Sequence, residues 1–130
     1  MAGGAWAVGA TSWMQTEYVV PVVAGTTYCA SAYVNTHRCK AVVNIIWYDK
    51  ANNRIGNAAT EWLGPFGINS FPLLSDLPRP YVIAKAPANA AYMRFEFGVM
   101  GTGESDPYFW MFRPMFARVN DGAQELESLA

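Results

Sequence analysis

Charge is scarce in this sequence. Lys, Arg, Asp and Glu together make up 15% of the chain, against roughly 25% in ordinary soluble domains. Nine basic and ten acidic residues leave a net charge of −1, so no field exists to draw in nucleic acid or an anionic membrane surface. There is one histidine, His37, and two cysteines, Cys29 and Cys39, with no Cys-X-X-Cys pair. That inventory argues against a structural zinc site. Apolar runs are short, and none approaches the roughly 18 residues of a membrane helix. Residues 1–16 carry no charge, yet they lack a basic start and are interrupted by Gly3, Gly4, Gly9, Thr11 and Ser12. A secretory signal is not built that way. Phosphate-binding glycine motifs are missing as well. GTGESD at 101–106 is followed by neither Lys-Ser/Thr nor a helix-forming stretch.

Aromatic residues are what the chain has in plenty. Five Trp, seven Tyr and seven Phe match the charged residues at 15% each, within 130 residues that are 52% apolar. A single domain of this size has a real core, but that many rings exceed what so small a core hides. Eleven Val against six Leu lean toward strands, and the periodicity agrees. In 26–34, Tyr28, Ala30, Ala32 and Val34 share one side. In 41–48, Val43, Ile45 and Trp47 oppose Val42, Asn44, Ile46 and Tyr48. In 91–97, Ala91, Met93, Phe95 and Phe97 oppose Tyr92, Arg94 and Glu96. One apolar and one polar-aromatic face is the pattern of an antiparallel strand with one side wet, and Asn44 marks its face as the wetter one.

Further strands are expected over 17–23, 81–86 and 108–119, with Pro114 pointing to an edge or a bulge. Asp49 and the Asn residues of 49–56 supply a hairpin loop, 63–80 is a long irregular stretch, and 98–107 a glycine-rich loop. Only 123–130 reads as helix-forming. The expected architecture is all-β: a β-sandwich of two antiparallel sheets over 17–120. Residues 1–16 are an N-terminal segment or trimmed first strand, and 121–130 a linker or short helix.

Catalytic chemistry has little to work with. A nucleophilic triad would need His37, in the loop NTHRCK, and Cys39 is its only nearby nucleophile. Most of the ten acids fall in turns or the tail, so a carboxylate pair for glycoside hydrolysis is not indicated. Glu96 alone lies inside a strand, beside Arg94. Glu104 and Asp106 could offer oxygens to calcium, with an exposed acidic turn as the plainer reading. Cys29 and Cys39 permit one disulfide but do not require it, and two reduced thiols are expected.

From about Tyr18 to Phe97 the chain carries a pattern: Val22, Gly25, Tyr28, Ser31, Ala32, Tyr33 and Val34, then Trp47, Tyr48, Asp49 and Gly56, then Ala86, Pro87, Asn89, Ala90, Tyr92 and Arg94. This resembles the carbohydrate-binding-module jelly rolls of the galactose-binding-like class. The ending FRPMFARV at 112–119 looks like the last strand of such domains in phage and prophage tail or fibre proteins. The resemblance implies a jelly roll, a non-catalytic glycan-binding role and a place in a phage tail or outside the cell. Its implied partners are a glycan and other subunits of the assembly, in a homo-oligomer such as a trimer, with no nucleic acid and no membrane insertion. Glycan-binding relatives hold a structural calcium with an acid in the last strand. Arg113 and Pro114 stand there in this chain, which counts against the ion and leaves no cofactor expected.

Sugars are bound by flat aromatic platforms beside planar hydrogen-bonding groups. With Met93, Phe95 and Phe97 inward, the expected binding face comprises Tyr92, Arg94 and Glu96, Asn44 and Tyr48, and Arg113 from the last strand, with Trp62 edging a groove. The plainer alternative is a solvated face with an Arg94–Glu96 ion pair. Trp47 is assigned to the core. Trp6 and Trp13 would seal the sandwich or a subunit contact, and Trp110 is core or interface. The rival functions are a structural oligomerisation module of a virion and an accessory domain of a bacterial glycoside hydrolase.

Overall fold

A computed structural model describes residues 6–66 and 77–119. Eight strands run in order: β1 (Thr11–Gln15), β2 (Val20–Pro21), β3 (Thr27–His37), β4 (Cys39–Tyr48), β5 (Arg54–Ala59), β6 (Tyr81–Lys85), β7 (Tyr92–Gly101) and β8 (Tyr108–Val119). They form two antiparallel sheets. One has five strands, β1-β7-β4-β5 with β2 also on β7; the other has three, β6-β3-β8. The pairing is nested, β4 with β7 in one sheet and β3 with β8 in the other, as in a jelly roll. The chain is therefore an all-β sandwich.

The strands form where alternation is strictest, and the core takes the inward set. Ala30, Ala32 and Val34 of β3 face Val43, Ile45 and Trp47 of β4 and Met93, Phe95 and Phe97 of β7, all buried. Phe109, Met111 and Phe116 of β8 pack against this cluster. Trp47 is 3% exposed. Its ring centroid lies 6.1 Å from that of Tyr28, which stacks on Phe116 at 5.0 Å. The Tyr28 hydroxyl accepts the Val23 N–H at 2.8 Å, so this buried phenol is satisfied.

The 49–53 turn is closed by Asp49. Its carboxylate accepts N–H groups of Ala51 and Asn53 at 2.9 and 2.8 Å, and Asn52 adopts a φ of 66°, a conformation Asn tolerates better than most residues. The backbone N–H of Asn53, above all, holds the Asp49 carboxyl below its ordinary value. The turn is therefore braced at neutral pH and loses the brace as acid protonates Asp49.

Three elements differ from expectation. The strand expected over 17–23 shrinks to Val20–Pro21, because Pro21 brings no N–H to the ladder, while the pairing falls earlier, on Thr11–Gln15. Residues 54–59, expected to be partly turn, form the edge strand β5. Strand β7 continues into the glycine-rich stretch as far as Gly101. Pro114 sits on an edge strand and at a bulge, since the β3–β8 register shifts between Ser31 and Tyr33 and Arg113 there has a φ of 50°. The helix expected over 123–130 and the linker over 121–130 lie outside the described residues. The two cysteines are free and belong to opposite sheets, Cys29 on β3 and Cys39 on β4.

Candidate ligand-binding face

The even-numbered residues of β4 and β7 share the outer face of the five-stranded sheet with the odd-numbered residues of β1 and β5. Cross-strand register gathers them into rows. Gln15 stands opposite Glu96, and Glu96 opposite Asn44. Gln15 Nε2 donates to Glu96 Oε2 at 2.8 Å, and Asn44 Nδ2 donates to Glu96 Oε1 at 2.8 Å. Asn57 Nδ2 donates to Asn44 Oδ1 at 3.1 Å. One chain of hydrogen bonds thus crosses β1, β7, β4 and β5. Both Glu96 oxygens accept, so Asn44 presents its NH2 group to Glu96 and its oxygen to Asn57.

An aromatic pair lies on one side of this row. Trp13 and Trp62 meet edge to face, centroids 5.6 Å apart at 60°. Trp13 stands opposite Gly98, and its ring lies directly on that glycine. A Cβ at Gly98 would come within 2.5 Å of Trp13 Cζ3 and 2.8 Å of Val42 Cγ1. Trp62 is brought in by the segment after β5, where Leu63 and Ala41 exchange N–H···O bonds of 2.8 and 2.9 Å. On the other side of the row, Arg94 Cζ lies 5.6 Å from the Tyr48 ring centroid, with Tyr92 opposite Tyr48. Arg94 Nη1 reaches the Thr16 carbonyl at 3.4 Å, and Nε is buried without a partner.

The floor of this face is dry. Val42, Asn44, Ile46 and Glu96 are exposed by 4, 3, 0 and 5%. What a ligand could reach is the layer above: Trp13 at 45%, exposed Gln15 and Asn57, and half-exposed Tyr48, Trp62, Tyr92 and Arg94. Asn44 was expected on the wetter face and is buried, at 3% exposure, with its amide bonded to Glu96 and Asn57 on the strands either side. Asn44 and Glu96 accordingly position Gln15 and Asn57 rather than meet a ligand themselves.

Of the residues singled out in the sequence, Tyr92, Arg94, Glu96, Asn44, Tyr48 and Trp62 come together on this face. Arg113 does not. It belongs to β8, in the other sheet, where its carbonyl accepts Arg79 Nη2 at 2.9 Å. The last strand pairs with β3 and not with β7, which carries Arg113 away from the expected face. The Arg94–Glu96 ion pair is also not formed, since both Glu96 oxygens are taken by amides. Gln15 and Asn57 are not among the residues the sequence singles out, and Trp13, expected to seal the sandwich or a subunit contact, lies on this face. The alternation of Thr11, Trp13 and Gln15 was the available signal, hidden by the lack of a polar-apolar contrast.

The other chemical candidates resolve differently. His37 was expected in a loop but ends β3, its ring stacked 6.2 Å from that of Tyr108. Cys39 Sγ donates to the Tyr108 carbonyl at 3.2 Å, and burial pushes its thiol above the ordinary value, so it is protonated at neutral pH. In the acidic loop, Arg38 Nη1 donates to the Ser105 carbonyl at 2.9 Å, while Thr102 Oγ1 lies 3.3 Å from Glu104 Oε2. Among the described residues no group of three or more His, Cys, Asp or Glu could hold a metal.

No family model matches the chain, and no curated protein or solved structure does either. The site therefore stands on its own geometry.

The outer face of the three-stranded sheet is of another kind. Tyr81, Ile83, Tyr108, Phe112 and Met115 are exposed by 64, 54, 48, 38 and 49%. Tyr108 stacks on Trp110 at 6.0 Å, and the Arg79 guanidinium lies 4.4 Å over Tyr33. Its central polar residues, Ser31 and Asn35, are buried beneath these side chains. This face offers exposed rings and aliphatic side chains, with the Tyr81 and Tyr108 hydroxyls and Arg79 but no row of side-chain amides among the described residues.

Proposed function

We propose that the protein is a non-catalytic carbohydrate-binding module whose ligand lies across the outer face of the five-stranded sheet. One observation carries this reading: the Gln15–Glu96–Asn44–Asn57 chain of hydrogen bonds, flanked by the Trp13–Trp62 pair on one side and by Tyr48, Tyr92 and Arg94 on the other. Sugar rings have apolar C–H faces and hydroxyl edges. Indole faces suit the first, and amides locked by a buried carboxylate suit the second at little ordering cost. The sequence resemblance over Tyr18–Phe97 points the same way, and the FRPMFARV ending favours a phage tail or fibre as the setting.

Trp13→Ala and Trp62→Ala are each expected to weaken oligosaccharide binding about tenfold or more, by loss of a stacking surface. Trp110→Ala, on the opposite sheet, is expected to leave it unchanged. Binding on a glycan array followed by titration calorimetry checks this; equal loss in all three variants would remove the assignment.

A second reading has its own observation. Large apolar side chains contiguous on a surface mark a protein contact, and the outer face of the three-stranded sheet has that character. On this reading the domain joins other subunits through Tyr81, Ile83, Phe112 and Met115. The two faces are separate, so both roles fit in one molecule. Sedimentation of the Ile83→Asp variant tests the contact: an oligomer that becomes a monomer supports it, and an unchanged mass removes it.

A further inference from the structure

We infer that the glycan bound by this face carries a carboxylate, as uronic and sialic acids do, and that Arg94 is the residue that reads it. The inference rests on the carbohydrate-binding reading above and adds the ligand's charge. It starts from what Arg94 lacks. A guanidinium has five N–H donors in a rigid fork. In Arg94, Nη1 makes one long bond to the Thr16 carbonyl, 3.4 Å, Nε is buried with none, and Nη2 has no partner among the described residues. Beside that bond, the Tyr48 ring faces the charge, with Arg94 Cζ 5.6 Å from its centroid.

Two of the acids nearby are already committed, while a third, the exposed Glu17, follows Thr16, whose carbonyl Arg94 touches. Glu96, two residues along the same strand face, has one oxygen on the Gln15 amide and the other on the Asn44 amide. Asp49, next to Tyr48, is turned into its own hairpin by Ala51 and Asn53. Neither is paired with Arg94. The exposed Arg54 stands opposite Tyr48 in the ladder and adds a second guanidinium at this end of the face. A ligand carboxylate approaching from the Tyr48 and Tyr92 side would accept from the Nη1 and Nη2 end of the Arg94 guanidinium, since Nε is buried, and stay on the side away from Glu96. Its sugar ring would then extend toward Gln15, Asn57 and the Trp13–Trp62 pair. A neutral sugar would leave the fork as it is and gain nothing there.

The test uses glycans bearing uronic or sialic acids, each arrayed beside its carboxyl-reduced counterpart, and probes them with the whole domain and with Arg94→Gln and Arg94→Lys. The carboxylated member of a pair is expected to bind about tenfold or more tightly, the size of a charge-assisted hydrogen bond. Arg94→Gln is expected to abolish that preference while residual binding to the reduced glycans persists, and Arg94→Lys to restore only part of it, having charge without the fork. Equal binding of both members, still sensitive to Trp13→Ala, overturns the carboxylate inference and leaves the carbohydrate-binding reading standing. So does a preference that survives Arg94→Gln. Retention of no glycan of either kind overturns both.

Discussion

Trp47→Ala is expected to cost about 3–5 kcal/mol, the usual range for truncating a buried aromatic residue to alanine. The ring is 3% exposed. It touches the tilted ring of Tyr28, 6.1 Å away between centroids, and stands 3.8 Å from where a Cβ on Gly56 would be, so β5 has no side chain there to fill the space. Strand β4 is held on both sides, by β7 and β5, and cannot shift to collapse the cavity. Against a total of about 5–15 kcal/mol for a domain, the loss is a large share. In urea the midpoint should fall by roughly 2 M with the slope unchanged, followed by circular dichroism. A fall of under a quarter of that would mean that Trp47 is not central to the core.

The second large effect concerns Glu96, and it separates positioning from packing. Glu96→Ala removes the acceptor for two amides. Gln15 is exposed and can turn to water. Asn44, at 3% exposure, cannot, and a buried donor left unpaired costs about 1–3 kcal/mol. Glu96→Gln keeps one acceptor oxygen and should cost less, since Asn44 can hold that oxygen while Gln15 turns away. The double variant Glu96→Ala with Asn44→Ala should be less damaging than the sum of the single changes, because both partners then leave together. A coupling of about 1–2 kcal/mol in the double-mutant cycle is expected, measured by denaturant melts. Additive single effects would mean that the Glu96–Asn44 bond contributes nothing. Glycan affinity should fall in Glu96→Ala even at temperatures where the variant is fully folded, because Gln15 and Asn57 are no longer held in a row.

The fold was legible because alternation in β3, β4 and β7 is nearly strict. Tyr28, Val43, Trp47, Phe95 and their in-phase neighbours turn inward as the pattern required. The polar-aromatic half of β7 came out on the outer face for the same reason. Sheet membership was not legible. Alternation says which side of a strand is buried, and it does not say which strand lies beside it. Arg113 was placed with Arg94 on that account, when β8 pairs with β3. The two edge strands of the five-stranded sheet lack contrast: β1 is exposed along its whole length and β5 along most of it, so neither announces a buried side. That concealed Gln15 and Asn57, the two reachable ends of the hydrogen-bonded row. Burial of Asn44 was hidden for another reason. Its amide is held by Glu96 of β7 and Asn57 of β5, and no local pattern reports such a meeting.

The abundance of rings beside so few charges now divides by surface. Trp47, Tyr28, Phe95 and Phe97 make the core. Trp13, Trp62, Tyr48 and Tyr92 frame the amide row, and Tyr81, Tyr108, Trp110 and Phe112 cover the opposite sheet. Each tryptophan indole N–H gives its own signal in a proton–nitrogen correlation spectrum, so the two outer faces can be told apart in one titration. Adding a glycan chosen from the array is expected to move the Trp13 and Trp62 signals in a saturable way while those of Trp47 and Trp110 stay in place. Movement of Trp110 with Trp13 and Trp62 unmoved would contradict the account.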